Sequence, residues 1–387
     1  MRIALFHNLP PGGGKRAAYE WTKRMSQKHE VDLYLYDQRA EDFCDIRPLV
    51  NAVNLIGTGD IVSEGYAGRL MALNRVRVLS RELADKINGG NYDLAFMMQC
   101  RISNSPLILR HLKTPSLYFC HEPLSRMLEP HYPGKWKDGY LSWMKRLVVN
   151  SYISLDRNSA IHASLICTSS LYSRENLYRA YGVYPRLNYP GVDTEHFRPI
   201  GNVREAIVLS VGSLNPSKGH DFVIKSVGTI DENLRPKVKI IYNSEHYRVD
   251  YRERLARLGE QHGVAVAFDS LITDDDLVRA YNVAMITACP NLLEPLGLVA
   301  LESMACGTPV VGIAEAGIRE TVQHNENGLL TERDPHEFGR AILELKQNKP
   351  MWHRMAKVAR HRVLDRWSWD QSFESLEKNM CLVAGLR

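Results

Sequence analysis

Short apolar runs alternate with stretches of helical periodicity along the chain, and this alternation limits the fold more than any other feature. One series of runs covers 2–7, 31–36, 92–98, 116–120 and 164–170. A second covers 206–212, 238–243, 264–270, 283–289 and 308–314. Amphipathic stretches such as GKRAAYEWTKRMSQKH (14–29) lie between several of them. Strands that lead into helices imply parallel sheets with helices on their faces. The expected class is therefore α/β, with doubly wound sheets. Residues 184–202 separate the two series; they hold Pro185, Pro190, Pro199, Gly191 and Gly201, show little periodicity, and read as a linker. At 387 residues the chain exceeds a usual single core. Two domains are expected, 1–196 and 197–371, with a last helix at about 372–387 packing back on the first. Two such halves facing each other would leave a cleft at the carboxyl ends of their strands, where ligands of this fold class bind.

Composition narrows the class. Hydrophobic residues are 44% and charged residues 24%, which excludes disorder and fibrous designs. A net charge of +5 is compatible with anionic small molecules or an acidic membrane surface, but it is too small to indicate a nucleic-acid partner. Cys44, Cys100, Cys120, Cys167, Cys289, Cys306 and Cys381 are odd in number and never form a Cys-x-x-Cys pair. They read as reduced thiols, with neither a disulfide framework nor a zinc site. The opening MRIALFHNLP is a short strand without a cleavage site, and no run approaches the ~20 apolar residues of a membrane span. A cytoplasmic protein is expected.

Four stretches carry chemistry. Gly12, Gly13 and Gly14 lie between the first strand and the first helix, where backbone amides can approach an anion or merely make a tight turn. His121 and Glu122 directly follow a strand, which puts them at the ligand-facing edge; a structural histidine is the plainer reading. Lys218, in the loop of VGSLNPSKGHDF, can meet a phosphate or simply be a solvated lysine. In NLLEPLGLVALESMACGTPVVG (291–312), Glu294 precedes a helix beginning near Leu296, and Glu302 lies roughly two turns along it. The amides of Gly297, Leu298 and Val299 would suit a diphosphate, and the two carboxylates would accept from sugar hydroxyls. An ordinary capping or salt-bridged pair does not explain why so apolar a helix keeps both acids.

These residues resemble the retaining GT-B glycosyltransferases of family 4. The resemblance is carried by EPLGLVALESMACGTPVVG, by VGSLNPSKG some eighty residues earlier and by GIRETVQHNENGLL after it. YFCHEP and ICTSSLYSRENLYRAYG through YPGVDTEHFRP extend it over nearly the whole chain. The resemblance implies a GT-B architecture of two Rossmann-like domains across a cleft, with no cofactor and a UDP- or GDP-sugar as donor. It implies that Glu302 holds the ribose, Glu294 contacts the donor sugar, and Lys218 with the amides of Gly297, Leu298 and Val299 binds the diphosphate. Ser213, Leu271 and Ile272 are counted with the donor-binding residues. The glycines at 12–14 close over donor or acceptor, and His121 lies near the transferred sugar; His121, Glu294 and Lys218 are the catalytic candidates.

Ser213 stands where the family usually has arginine, so one diphosphate contact is missing unless another cation, such as Arg319, supplies it. A glycine-rich turn common after the next strand is replaced by Tyr242–Tyr247, which leaves base and sugar open. Asp274 and Asp276 form an Asp-x-Asp of the kind that holds a divalent cation in other glycosyltransferases, but capping by Thr273 or Asp274 is the simpler account, so no metal is expected. In 135–149, Trp136, Tyr140, Trp143, Met144, Leu147 and Val148 share a helical face flanked by Lys135, Lys137, Lys145 and Arg146. A core-facing helix is slightly preferred; the alternative is contact with the inner face of an anionic membrane. The expected function is hexosyl transfer, glucose or mannose, to a hydroxyl of a glycan or lipid-linked acceptor, as in polysaccharide biosynthesis. The alternatives are a sugar-nucleotide epimerase of the same architecture and a non-catalytic nucleotide-sugar or glycan-binding protein.

Overall fold

A computed structural model describes residues 1–37, 41–57, 65–125, 143–242, 249–270 and 273–386. The chain forms two compact units: Met1–Pro190 with Trp369–Arg387, and Gly191–Ser368.

Unit 1 runs β1 (Arg2–Asn8), α1 (Gly13–Met25), β2 (Glu30–Leu35), β3 (Ala52–Leu55), α2 (Gly65–Asn88), β4 (Leu94–Cys100), β5 (Ser116–Phe119), α3 (Trp143–Ala160), β6 (Leu165–Thr168), α4 (Leu171–Tyr181) and β7 (Arg186–Leu187). Its parallel sheet has the order β3-β2-β1-β4-β5-β6-β7. Side chains alternate across the sheet, and both faces of β1 are buried. Ala4 and Phe6 pack with Val76, Leu83 and Ile87 of α2, while Ile3 and Leu5 pack with Ala17 and Trp21 of α1. That two-sided burial is why the central strands read as continuous apolar runs.

Unit 2 runs β8 (Glu205–Val211), α5 (His220–Gly228), β9 (Lys237–Tyr242), α6 (Val249–Gln261), β10 (Val266–Ser270), α7 (Asp274–Val283), β11 (Ala284–Cys289), α8 (Leu298–Ala305), β12 (Val310–Ile313), α9 (Ile318–Thr321), β13 (Gly328–Thr331), α10 (Pro335–Gln347) and α11 (Lys349–Arg366). The order is β10-β9-β8-β11-β12-β13, again parallel. The last helix, α12 (Trp369–Val383), belongs to unit 1. Trp21 explains its attachment: the indole lies edge-on to Trp369 at 6.1 Å and donates to Ser372 Oγ at 2.9 Å.

Both sheets reverse their strand order once, at β1/β4 and at β8/β11. Such a switch point opens a crevice at the carboxyl ends of the strands, where ligands of doubly wound folds bind. The glycine turn follows β1, Lys218 follows β8 and Glu294 follows β11, so three of the candidate stretches leave strands at these points.

Three strands have no counterpart in the periodicity. β3 is an edge strand with Val53 and Leu55 exposed, β7 is two residues inside the stretch read as a linker, and β13 is short. Each is recruited by backbone pairing to a neighbour, which needs no apolar pattern. The units divide at Pro190/Gly191, a few residues before the expected 196/197. Val192 N already donates to Trp367 O at 2.7 Å, and buried Phe197 lies 6.1 Å from Tyr281, so both belong to unit 2. Among the described residues no helix is long and apolar enough to cross a membrane.

Candidate functional site

The Lys218 loop is shaped by two glycines and a buried histidine. Gly212 has φ of 156°, and a Cβ there would stand 3.1 Å from Lys218 Cγ, so the lysine stem runs along bare backbone. Pro216–Lys218 form one 3-10 turn, capped by Asn215 Oδ1 accepting from Ser217 N at 3.1 Å. Gly219 then turns left-handed (φ 69°) with its Cα face against Pro290: a Cβ would lie 3.0 Å from both the ring and the carbonyl oxygen. His220, fully buried, ties this loop to its strand. Its Nε2 contacts the carbonyls of Gly212 and Ser213 at 3.3 and 3.2 Å, and its Nδ1 contacts Ser210 Oγ at 2.8 Å. Carbonyls only accept, so Nε2 carries the proton and Nδ1 accepts from Ser210. Burial holds this imidazole neutral, with a pKa down at about 4.

Across from it lies the Glu294 loop. Lys218 Nζ donates to Glu294 Oε2 at 3.1 Å, and Asn291 Nδ2 donates to the same oxygen at 2.7 Å. Glu294 O accepts from Gly317 N at 2.9 Å, and the backbones meet so closely that a Cβ on Gly317 would fall 1.8 Å from Pro295 O. The helix begins at Leu298, two residues later than the sequence suggested. Gly297 is its N-cap in a left-handed conformation (φ 93°, ψ 63°), without a side-chain cap. Pro295 and Leu296 are held in the preceding turn by α9, which Thr321 Oγ1 reaches by donating to Leu296 O at 3.3 Å. Glu302 is therefore little more than one turn into α8, not two. It is 8% exposed and accepts from the Tyr281 hydroxyl at 2.8 Å. Cys289, at the end of β11, is buried beside this loop in sequence. Burial and the nearby Glu294 push its thiol far above the ordinary range, Lys218 opposes that shift and Glu302 adds to it. The first amides of α8 lack a side-chain cap.

Sequence reasoning missed Arg333 and Glu315 here. Arg333 forks onto Glu315 (Nε–Oε1 2.9 Å, Nη2–Oε2 2.7 Å) and also donates to Pro290 O at 2.9 Å and Asn291 O at 3.3 Å. Arg319 is exposed, with Nε donating to Ala316 O at 3.2 Å. Ser213 contributes its carbonyl to His220 and to Asn215 N (2.7 Å). Asp276 belongs to a capping box with Thr273: its carboxylate accepts from Thr273 N at 3.0 Å while Asp276 N donates to Thr273 Oγ1 at 3.1 Å. Among the described residues no group of three or more His, Cys, Asp or Glu could hold a metal ion. Leu271, Ile272, 243–247 and residues 135–142 of the aromatic, basic stretch lie outside the described residues.

In unit 1, Gly14 and His121 come together. A Cβ on Gly14 would lie 3.2 Å from His121 Nε2 and 3.4 Å from its Cδ2, so the ring rests on the glycine. Phe119 meets the same ring edge-on at 5.0 Å. Gly12 is the N-cap of α1 with φ of 144°. The His121 loop hangs on residues from three other elements. Gln99 accepts from His121 N at 3.1 Å and donates to Glu122 O at 3.0 Å; Asn104 donates to the same carbonyl at 3.1 Å. Asp156, buried on α3, accepts from Leu124 N, Ser105 N, Ser105 Oγ, Asn104 Nδ2 and Tyr181 OH, all within 3.0 Å. A second buried cluster draws on both sides of the glycine turn. Lys15 Nζ and His7 Nε2 both reach Glu41 Oε1 at 2.7 Å, and Glu41 Oε2 accepts from Ile46 N at 2.7 Å. Burial lowers the pKa of Lys15, with Glu41 opposing; Glu41 is held below its usual range by His7 and Lys15 although burial pushes it up.

Residues 192–362 match the family model described as Glycosyl transferases group 1. The D-inositol 3-phosphate glycosyltransferase of Acidothermus cellulolyticus is 32% identical over 235 residues, 55% of this chain and 52% of that protein. The GDP-mannose-dependent alpha-(1-6)-phosphatidylinositol monomannoside mannosyltransferase of Mycobacterium tuberculosis is 30% identical over 224 residues, 52% of this chain and 57% of that protein. The chain thus spans about half the length of the curated relatives it matches. In structure it resembles the sucrose-phosphate synthase of Thermosynechococcus elongatus over 97% of both chains, with a TM-score of 0.80 at 19% identity. Residues 192–362 thus match a group 1 glycosyl transferase domain, and the two Rossmann-like units share their fold with GT-B glycosyltransferases of known structure.

Proposed function

We propose that the protein is a retaining glycosyltransferase that moves a hexose, glucose or mannose, from a UDP- or GDP-linked donor to a hydroxyl of a glycan or lipid-linked acceptor. The observation that carries this reading is the Lys218–Glu294 contact between the loops that follow β8 and β11, directly before the start of α8, which has no side-chain cap and carries Glu302. As the anomeric bond breaks, negative charge grows on the departing diphosphate. The amides of Gly297, Leu298 and Val299 with Lys218 are aimed to stabilise it, which makes a metal ion dispensable. A phosphate oxygen would draw the Lys218 ammonium away from Glu294, leaving that carboxylate to accept from a sugar hydroxyl. Glu302, steadied by Tyr281, is assigned to the ribose. The Gly12–Gly14 turn is assigned to the donor or the acceptor, and His121 to the transferred sugar.

Retention through a covalent intermediate requires a carboxylate under the anomeric carbon, and the resemblance offers no obvious nucleophile. We therefore favour attack on the face the leaving group departs from. The acceptor oxygen bonds to the anomeric carbon as the phosphate oxygen leaves, and that phosphate oxygen takes the acceptor's proton. A lipid-linked acceptor would bring the protein to the inner face of the membrane.

Incubation with UDP- and GDP-sugars and a panel of acceptors, read by release of free UDP or GDP, tests the reading. Release that needs both donor and acceptor, and that survives EDTA, is expected. Conversion of donor alone would mean an epimerase, saturable binding without turnover a binding protein, and loss on EDTA restored by manganese a metal-dependent enzyme.

A further inference from the structure

The turn from Pro290 to Glu294 is strained and is held from outside. Leu293 has φ of 51°, a left-handed conformation that costs a residue with a Cβ roughly 1–2 kcal/mol and persists where the surroundings enforce it. Three groups enforce it here. Leu292 N donates to Ser217 O at 2.9 Å, Gly317 N donates to Glu294 O at 2.9 Å, and Arg333 donates to the carbonyls of Pro290 and Asn291. Arg333 is aimed by its two bonds to Glu315, and its guanidinium carbon stands 5.7 Å from the centre of the Phe222 ring on α5. One side chain thus joins the loops that follow β11, β12 and β13. The effect reaches the acid directly, because Asn291, whose carbonyl Arg333 holds, donates through its own side chain to Glu294 Oε2.

We infer that Arg333, aimed by Glu315, is a positioning residue that fixes the strained 290–294 turn and thereby sets the Glu294 carboxylate for the donor sugar. The role as a positioner for catalysis rests on the proposed transferase reading; the hold on the turn does not. A plain stabilising ion pair is the competing account. Both side chains are about 30% exposed (28% and 31%), and such pairs contribute little to stability. What an ion pair does not require is the pair of carbonyl contacts, and only a planar fork with several donors serves a carboxylate and two carbonyls together.

The test compares Arg333→Lys, Glu315→Gln and the swap Glu315→Arg/Arg333→Glu by hydrogen–deuterium exchange over 288–305, by calorimetric titration with UDP and with GDP, and by steady-state transfer. Arg333→Lys should raise exchange of the 291–294 amides about tenfold and leave α8 unchanged. It should lower kcat roughly 10- to 100-fold, the scale of a displaced catalytic group, with nucleotide Kd changed less than about threefold. Glu315→Gln should show the same pattern more weakly. The swap, which keeps a pair but puts an acceptor where the donors were, should restore neither readout. Unchanged exchange in Arg333→Lys overturns the inference, as does full rescue by the swap. Should the parent protein transfer no sugar from any donor, the transferase reading fails while the exchange data still judge the hold on the turn.

Discussion

The loop bearing His121 in unit 1 and the loop bearing Glu294 in unit 2 both leave the carboxyl end of a parallel strand, yet they are held by opposite means. Around Glu294 the polar groups are partly exposed and turn toward one another: Lys218, Asn291, Arg333 and Glu315. Around His121 the supports Gln99 and Asn104 are partly exposed, but the group beneath them, Asp156, is buried. Asp156 is 1% exposed and spends its oxygens on backbone, hydroxyl and amide donors, and Lys15, Glu41 and His7 form a second buried cluster. A buried polar lattice stores its free energy in fold stability, since every member left unpaired pays its full desolvation. Half-exposed charges store little stability and can exchange partners with a ligand. The difference teaches that unit 1 is built to keep its loop still, whereas unit 2 keeps charges that a bound anion could rearrange.

The largest expected effect tests the unit 1 half of that contrast. Asp156→Ala strands several buried donors and should destabilise the protein by about 3–5 kcal/mol, seen as a lowered denaturant midpoint; a change under about 1 kcal/mol would break the comparison. Glu294→Ala should do the reverse in unit 2. We expect a roughly 100-fold loss of turnover, equivalent to about 2.7 kcal/mol of barrier, with the unfolding midpoint nearly unmoved. Glu302→Ala, by contrast, should mainly weaken nucleotide binding in a calorimetric titration. Equal loss of binding and turnover in both variants would erase the division of roles.

A smaller effect comes from His220, a buried titratable group of unit 2. Its folded pKa of about 4 lies below the ordinary 6.5. Between those values the unfolded chain binds a proton that the folded chain does not. Its contribution is therefore complete above about pH 6.5 and is lost as pH falls toward 4. Denaturant unfolding at pH 7, 6 and 5 should show that slope in the parent and a shallower one in His220→Gln; parallel slopes would remove His220 as the cause. Smallest of all, Gly297→Ala forces a Cβ to 3.0 Å from Ile318 Cδ1 at a left-handed φ, and should cost about 1–2 kcal/mol. The accompanying shift of the α8 tip should be read by weaker UDP or GDP binding; unaltered affinity would mean that the tip does not depend on this glycine.

Much of this contrast was legible on one side only. In unit 2, Lys218, Gly297, Glu294 and Glu302 lie in two short stretches whose glycines, prolines and spacing announce a strand, a turn and a helix tip. The exact start of α8 was not legible, because α9 holds Pro295 and Leu296 in the turn from outside. Arg333 and Glu315 gave no signal; each looks like an ordinary surface charge until β12 and β13 bring them together. In unit 1 the histidine was picked out only by its place after a strand. Gln99, Asn104 and Asp156, which hold it, are separated from it by 22, 17 and 35 positions and share no motif with it.

By itself, the sequence determined the α/β class, two units joined through a proline-rich crossing, the central strands of each sheet, and which loops leave them. Those features follow from contiguous patterns, since burial on two faces makes an apolar run and a turn needs particular residues where it occurs. Tertiary structure alone decided the edge strands β3, β7 and β13 and the partners of every buried charge. Backbone pairing, desolvation and ion pairing act between groups that are close in space, and the strand order that makes them close leaves no local mark on the residues it joins.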